Sequence, residues 1–500
     1  EIMPSLVGSE MCIRDSENSL NNRDITRRSF LAGTAAMGVG AAAVLTGPRA
    51  SAASPVATPL PAAPAANTSR DVVVTDLEVI TATPTSLVFS WTTFKNPHST
   101  HLHPNDRVAS DGEVWLAPAD TREPLRCVHR SYSKTGFHYV TIQGLKPDTR
   151  YHFECRSLGK KAEAGLWFTN IFNEPEVTGI VSTIPQPTGR YIQTVAVAND
   201  IHLGMEGKGV TDCSWSEAMI SSLLHEVKHR NLSRIYVNGD LCDHGKHDEA
   251  KRLRALMDTF GGYQKDYFLV RGNHDGYGMK GYDLNHSVFD PFQAVFPKHK
   301  LQTTWSVLDK KLRIVGVDGS HPGKDSGELT EANYRSIEKI LLSDPHRPTL
   351  VLSHFPVTEE AALTNAGQRP FIYNKKDSMR LQRLFQKAPG VFFMAAGHTH
   401  RAHRDAPDLP GGPQFAQFCA TTPFPGGFTL MDIYEGGYTV TFHRTPAAQA
   451  LAQTAFNRYD KAYGCYGEYT ISRMCDRCYT VKRDMSALRL SLIHISEPTR

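Results

Sequence analysis

Five short polar blocks, each set directly behind a run of apolar residues, constrain this chain more than any other feature. Asp200-Ile201-His202 follows the run 192–198, and Gly239-Asp240-Leu241-Cys242-Asp243 follows 234–238. Gly272-Asn273-His274-Asp275 follows 267–270, Ser353-His354 follows 349–352, and Gly397-His398-Thr399-His400 follows 391–395. These apolar runs, with another at 312–317, read as buried strands. Amphipathic helices are expected between them. One is 214–229, with Met219, Leu223, Leu224 and Val227 on one stripe and Ser214 and Glu217 spaced as a capping box. Another is 330–342, with Thr330 placed to cap and Tyr334, Ile337, Ile340 and Leu341 turned inward. Strands alternating with helices from Tyr191 onward predict an α/β layer fold. The carboxyl ends of strands in such a fold share a rim, where ligands bind. Five distant loops are thus expected to meet in one small volume rich in Asp, Asn and His.

The spacing inside the blocks supports that convergence. Asp200 and His202 are two residues apart at a strand end, so both side chains can aim the same way, and His398 and His400 repeat the pattern. Gly239, Gly272 and Gly397 permit sharp turns and close backbone approach.

The first part of the chain is different. Residues 71–170 lack helical periodicity and alternate as strands do: Leu87, Phe89 and Trp91 share one face. Leu145-x-Pro147-x-Thr149-x-Tyr151 resembles the tyrosine corner of fibronectin type III sandwiches, in which a Tyr hydroxyl bonds back to the chain at a strand turn. Trp91 and Tyr151 are expected in the core and at the corner, and the sandwich is expected to carry no chemistry itself. Similar sandwiches precede the catalytic domain of purple acid phosphatases. Upstream, Thr26-Arg27-Arg28-Ser29-Phe30-Leu31, a soft apolar run and Ala50-Ser51-Ala52 resemble a twin-arginine signal peptide with its cleavage site. The apolar run is too short for a good membrane span, so no stable span is expected after cleavage. Export would place the protein in the periplasm, at the cell wall or outside the cell.

The expected layout is a suspect leader, signal peptide and Pro/Ala linker at 1–70, a fibronectin-III-like β-sandwich at 71–170, a linker at 171–190, an α/β catalytic domain at 191–446, and a tail at 447–500. The two ends, around Met11–Ser16 and Ser491–Arg500, resemble translated sequencing-adapter reads, so 1–17 and 486–500 are set aside and 463–482 is doubtful. A net charge of +4 over 500 residues argues against a nucleic-acid-coating protein and gives little support to a nuclease. Of nine cysteines, Cys127 and Cys155 fall in the first domain, where export would allow pairing. Cys475 and Cys478 form a lone CxxC in the doubtful tail.

The order D-x-H, G-D-x-x-[D/N], G-N-H-[D/E], a lone His, then G-H-x-H resembles the calcineurin-like metallophosphoesterase superfamily over about 250 residues. The resemblance implies a four-layer fold, two packed β-sheets flanked by helices, and two metal ions. One metal would be held by Asp200, His202, Asp240 and His400, the other by Asp240, Asn273, His354 and His398, with Asp240 bridging. Donors of this N/O kind suit iron, manganese, zinc or cobalt. The implied activity is hydrolysis of a phosphate mono- or diester by a hydroxide shared between the metals, with a small-molecule phosphate ester as substrate. His274 is expected to stabilise phosphoryl charge or protonate the leaving group, and Asp275 to orient His274 or, alternatively, to stabilise its turn. Asp243 stands where purple acid phosphatases need a Tyr ligand, so the resemblance leans to the cyclic-nucleotide phosphodiesterase branch. Asp243 itself is expected to hold the Gly239 loop or a ligand histidine. Arg271 and Arg401 flank blocks and are read as solvated surface charge, with steering of phosphate as the alternative, while Phe371 and Tyr373 are candidates for stacking a base. His244, His247, His286, His321, His346 and His403 fit no block and read as surface or core residues. The competing reading is a non-catalytic surface- or polymer-binding protein with a vestigial metal domain.

Overall fold

The computed structural model describes residues 72–95, 107–165, 174–205, 214–279, 289–367, 369–447, 450–451, 454 and 466–489. The leader, the twin-arginine segment, the Pro/Ala linker, His286 and residues 490–500 lie outside them, as do Cys12, Cys213 and the side chain of Ser214.

The first strands are β1 (Val72–Ala82), β2 (Ser86–Lys95), β3 (Ser110–Pro118), β4 (Arg126–Thr135), β5 (Phe137–Gln143), β6 (Arg150–Ser157), β7 (Lys160–Lys161) and β8 (Ile180–Ser182). They form two antiparallel sheets, β1-β2-β5 and β4-β3-β6-β7, with β8 added beside β6. Val79, Leu87, Phe89 and Trp91 of one sheet meet Val114, Leu116 and Phe153 of the other in one core. The Lys146 N–H donates to the Tyr151 hydroxyl at 3.0 Å, the bond expected of a tyrosine corner. Cys127 and Cys155 are both free and buried. They sit on β4 and β6 with β3 between them, roughly 10 Å apart by strand spacing, beyond disulfide reach.

Residues 171–190 are not simply a linker, because β8 within them pairs with β6. Nor is the doubtful C-terminal stretch outside the fold. Its edge strand pairs in the central sheet below, and Met485 and Leu488 join the core. The strand is only five residues long and begins on the second cysteine of an isolated CxxC, so it carried little periodic signal.

The remaining strands are β9 (Tyr191–Asn199), β10 (Ile235–Asn238), β11 (Tyr267–Val270), β12 (Thr304–Asp309), β13 (Leu312–Val317), β14 (Thr349–Ser353), β15 (Val391–Ala396), β16 (His403–Asp405), β17 (Gln414–Gln417), β18 (Gly427–Tyr434), β19 (Gly437–Arg444) and β20 (Cys478–Lys482). They build two six-stranded mixed sheets, β11-β10-β9-β18-β19-β20 and β12-β13-β14-β15-β17-β16. Val195, Val197, Tyr236 and Val270 of the first face Ile314, Leu350, Leu352 and Phe393 of the second across a shared core. The outer face of the first sheet is covered by helices Ser214–His229 and His247–Asp258, through Ile220, Leu223, Leu253 and Met257. Helices Glu331–Leu342 and Lys375–Lys387 cover the second through Ile337, Leu341, Leu381 and Phe385. This is the expected four-layer arrangement, with Thr330 capping its helix by accepting from Asn333 N–H.

The two regions are joined by buried contacts. Ile80 and Val88, on the outer face of β1-β2-β5, pack with Phe424, Phe442 and Ile471. Arg444 pairs with Glu78 at 2.9 Å, both almost wholly buried. Strands β1 and β2 are thus covered on both faces, which explains the near-continuous apolar character of Leu87-Val88-Phe89.

Among the described residues, no helix is long and apolar enough to cross a membrane.

Candidate metal centre

Strands β9, β10 and β11 run parallel in one sheet, and β13, β14 and β15 in the other, so each set ends together. Register places Asn199, Asn238 and Val270 side by side, and likewise Ser353 and Ala396. All five polar blocks begin at that level. The Asn238 side-chain amide donates to the carbonyls of Ser353 and Ala395, stapling the two sheets together at this rim.

The side chains then meet as the spacing predicted. Ligand atoms of Asp200, His202, Asp240 and His400 lie within 4.8 Å of one another, as do those of Asp240, His354 and His398. Asp240 belongs to both groups: Oδ2 lies 3.6 Å from His202 Nε2, and Oδ1 lies 3.2 Å from His354 Nε2. Asn273 Oδ1 adds to the second group, 3.1 Å from His354 Nε2. All seven expected ligands are therefore brought together, and only His400 among them is more than slightly exposed.

The backbone is strained to achieve this. Asp200, His202, Asp240, His398 and His400 all take left-handed φ values, between 38° and 67°. Each such residue costs of order 1–3 kcal/mol, and such strain gathers at functional sites. The glycines make the approach possible. A Cβ on Gly239 would lie 2.0 Å from His354 Nδ1, one on Gly272 2.1 Å from Asp240 Oδ1, and one on Gly397 2.7 Å from Asp200 Oδ2.

The donors fit a pair of cations. His354 Nε2 and His398 Nδ1 lie 3.1 Å apart, and His202 Nε2 and His400 Nε2 3.2 Å apart. Two nitrogens each about 2.0–2.1 Å from one cation span such a gap. Asp200 Oδ2 is buried and accepts no hydrogen bond. Burial pushes the Asp200 carboxyl up to about 8, as expected for a carboxylate whose natural partner is a cation. Burial also opposes charge on Asp240, but His354 and His274 outweigh it and hold that carboxyl well below its usual range.

The surrounding groups orient the ligands. Asp243 Oδ1 accepts from His202 Nδ1 at 2.9 Å, which turns Nε2 toward the cluster. Burial alone would raise the Asp243 carboxyl; the His202 hydrogen bond and charge bring it below its ordinary value. Asp243 thus holds His202, one of the expected ligands. His274 N–H donates to Asp240 Oδ1 at 3.0 Å, and His274 Nδ1 donates to the Asp243 carbonyl at 2.7 Å. The His274 ring stands edge-on to His202, with centroids 4.6 Å apart.

Asp275 departs from its expected role. Its carboxylate accepts from the backbone N–H groups of Leu241, Cys242 and Gly272, tying two of the loops together. The Asp243 carbonyl, not Asp275, orients His274. Neighbouring expectations also change. Arg271 is fully buried and pairs with Asp290 at 2.6 Å, and Arg401 donates to the Thr364 carbonyl and hydroxyl, so neither guanidinium is spent on steering phosphate. Tyr373 is buried, with its hydroxyl 3.0 Å from Ser353 Oγ. Phe371 does stack, but on His398, at 4.6 Å between centroids. Tyr277 and Asp325, which sequence reasoning passed over, also border the centre: Tyr277 Oη accepts from Asn273 Nδ2 at 2.8 Å. Tyr277 had a faint signal, standing one turn past His274; Asp325 lies in the irregular stretch 319–327 after β13, whose length already suggested that it borders the site, though nothing pointed to Asp325 itself.

Comparison with known proteins agrees with the geometry. Residues 193–402 match the family model described as calcineurin-like phosphoesterase, and this stretch is a calcineurin-like metallophosphoesterase domain. Over 209 residues the chain is 24% identical to a probable glycerophosphodiester phosphodiesterase GpdQ of Arcobacter nitrofigilis, covering 41% of this chain and 71% of that protein. Over 192 residues it is 24% identical to the glycerophosphodiester phosphodiesterase GpdQ of Enterobacter lignolyticus, covering 38% of this chain and 64%, just under two thirds, of the relative. A purple acid phosphatase from yellow lupin seeds aligns at a TM-score of 0.39 and 14% identity, over 83% of this chain and 75% of that one.

Proposed function

We propose that this chain is an exported phosphoesterase that hydrolyses phosphate mono- or diesters of small molecules at a dinuclear metal centre. The observation that carries the reading is the pair of ligand groups sharing Asp240 at the rim of both sheets. Asp200, His202, Asp240 and His400 would hold one cation, and Asp240, Asn273, His354 and His398 the other. Such a pair, of iron, manganese or zinc, supplies Lewis acidity to the phosphoryl oxygens and a water acidified to react near neutral pH.

The chain's own groups supply the rest. Asp243 fixes the tautomer of His202. His274 has Nδ1 committed to the Asp243 carbonyl, so proton exchange with a leaving oxygen falls to Nε2. Protonated, His274 also offers positive charge where the phosphoryl group gains negative charge. With Arg271 and Arg401 both engaged elsewhere, phosphate binding would rest, among the described residues, on the cations and His274. The relatives' names make glycerophosphodiesters the first diester class to assay.

We read the N-terminal sheets as a fibronectin-III-like domain, extending the 71–170 suggested by the sequence to include β8, and the second domain as 191–446 extended on the C-terminal side by β20. The twin-arginine segment supports export to the periplasm, cell wall or exterior. The rival reading, a binding protein with a vestigial metal domain, is disfavoured because decay would erase ligands and all seven are in place. The test is turnover of p-nitrophenyl phosphate and bis-p-nitrophenyl phosphate with added manganese, iron or zinc. Turnover abolished by Asp240→Ala supports the proposal, whereas no turnover of either ester with any metal favours the binding reading.

A further inference from the structure

Asn273 is the one amide among the seven ligands, and an amide can present either oxygen or nitrogen to a neighbour. Only the oxygen can coordinate a cation, so something must set which way the group points. Asn273 Oδ1 lies 3.1 Å from His354 Nε2, on the side of the second ligand group. On the other side, Asn273 Nδ2 donates to Tyr277 Oη at 2.8 Å, and Tyr277 O–H donates to Asp325 Oδ1 at 3.0 Å. Asp325 Oδ1 also accepts from Asn273 Nδ2 at 3.4 Å.

Resting on the metal-centre reading above, we propose that Tyr277 and Asp325 form a positioning relay that holds the Asn273 amide with its oxygen toward the second cation. The reversed amide would aim its oxygen at a carboxylate and at a hydroxyl already donating to that carboxylate. It would also aim its N–H groups at the cation. Both changes are repulsive, so the relay discriminates between two orientations of nearly equal shape. The Tyr277 O–H to Asp325 bond is charge-assisted, which strengthens the bias. The two residues come from different places: Tyr277 caps the short helical turn His274–Gly276, and Asp325 lies in the segment following β13. The relay therefore also ties that segment to the loop carrying Asn273. Neither residue is a metal ligand or touches the reacting atoms in this account; both act through Asn273.

The test is a manganese titration of the full chain after chelator stripping, read as stoichiometry and stepwise affinity. Tyr277→Phe keeps the ring that lies 4.5 Å from His274 and removes only the hydroxyl. It should weaken the second manganese by about 10–100-fold, the range for lost orienting partners, and leave the first tight. Asp325→Ala should do the same, and Asp325→Asn, which retains a carbonyl acceptor, should weaken it less. In an Asn273→Asp background both positions carry oxygen, so adding Tyr277→Phe should cost little further affinity. Wild-type second-site affinity in both Tyr277→Phe and Asp325→Ala overturns the relay, as does an undiminished Tyr277→Phe effect in the Asn273→Asp background. Fewer than two manganese ions on the wild-type chain overturns the metal-centre reading and the relay with it. Tight first-site binding in each variant shows that it has folded.

Discussion

Gly239→Ala offers a quantitative test of how closely the site is packed. Gly239 has φ of +87°, where a side chain costs about 1–2 kcal/mol. A Cβ there would also lie 2.0 Å from Nδ1, 2.4 Å from Cγ and 2.6 Å from Cβ of His354. Ordinary contact begins near 3.4 Å, so the His354 ring must retreat by about 1.4 Å. His354 is fully buried between strand ends and has no room to retreat cheaply; overpacking of this kind typically costs about 1–3 kcal/mol. The sum is a loss of about 2–5 kcal/mol, and the displacement exceeds what a metal–nitrogen bond of about 2.0–2.1 Å tolerates. The expected result is a lower unfolding midpoint together with loss of the second metal, read by denaturant unfolding and by metal analysis of the purified protein. Gly144→Ala is the control. Gly144 has φ of +76° but nothing within 4 Å of the added methyl, so it should show the conformational cost alone and keep both metals. A Gly239→Ala protein that binds two metals with wild-type affinity would refute the packing argument.

Further outcomes follow from the same contacts. Asp243→Ala releases His202 Nδ1 and should weaken the first metal by about 10–100-fold in a manganese titration, while leaving the second group assembled. Asp275→Ala strips three backbone N–H groups of their acceptor and should lower stability by about 2–4 kcal/mol in urea unfolding; its main effect is structural, so a variant of unchanged stability and lost turnover would restore the catalytic role first expected of it. Buried His138, stacked on Trp91, has its pKa lowered by burial to about 4 from 6.5. The unfolded chain then binds the proton more readily, so His138 contributes stability that is present above pH 6.5 and lost as pH falls toward 4, about 3 kcal/mol in all. His138→Gln should flatten that stretch of the stability–pH curve, and an unchanged slope would show that another group sets it. Arg444→Ala takes the guanidinium from buried Glu78, which keeps the Ser90 hydroxyl as a donor, between the N-terminal sheets and the central sheets, and a cost of about 3–5 kcal/mol is expected in the same unfolding assay.

What the sequence disclosed, and what it hid, divides along physical lines. The six strands that carry or flank the polar blocks were legible to within a residue at each end, because buried parallel strands leave continuous apolar runs bounded by Gly, Asp and His. The convergence of the seven candidate ligands was legible for the same reason, since each follows a strand terminus where the topology brings the loops together. Side-chain orientation was not legible. Asp275 follows His274 in sequence, yet its carboxylate turns to the backbone of Leu241, Cys242 and Gly272. Arg271 and Arg401 stand beside the blocks but are consumed by Asp290 and Thr364. Adjacency along the chain said nothing about these choices. Asp325 reaches the centre from an irregular segment without periodicity. The strand β20 was hidden differently: five residues starting on the second cysteine of an isolated CxxC do not announce a strand, and its pairing with β19, with Met485 and Leu488 in the core, shows that the C-terminal stretch belongs to the fold.

The most direct measurement is anomalous scattering from crystals of the manganese-loaded protein. The account requires two peaks about 3.5–4 Å apart, one on each side of Asp240, with Asn273 Oδ1 beside the peak that His354 and His398 share. A single peak, or peaks away from Asp240, would contradict it.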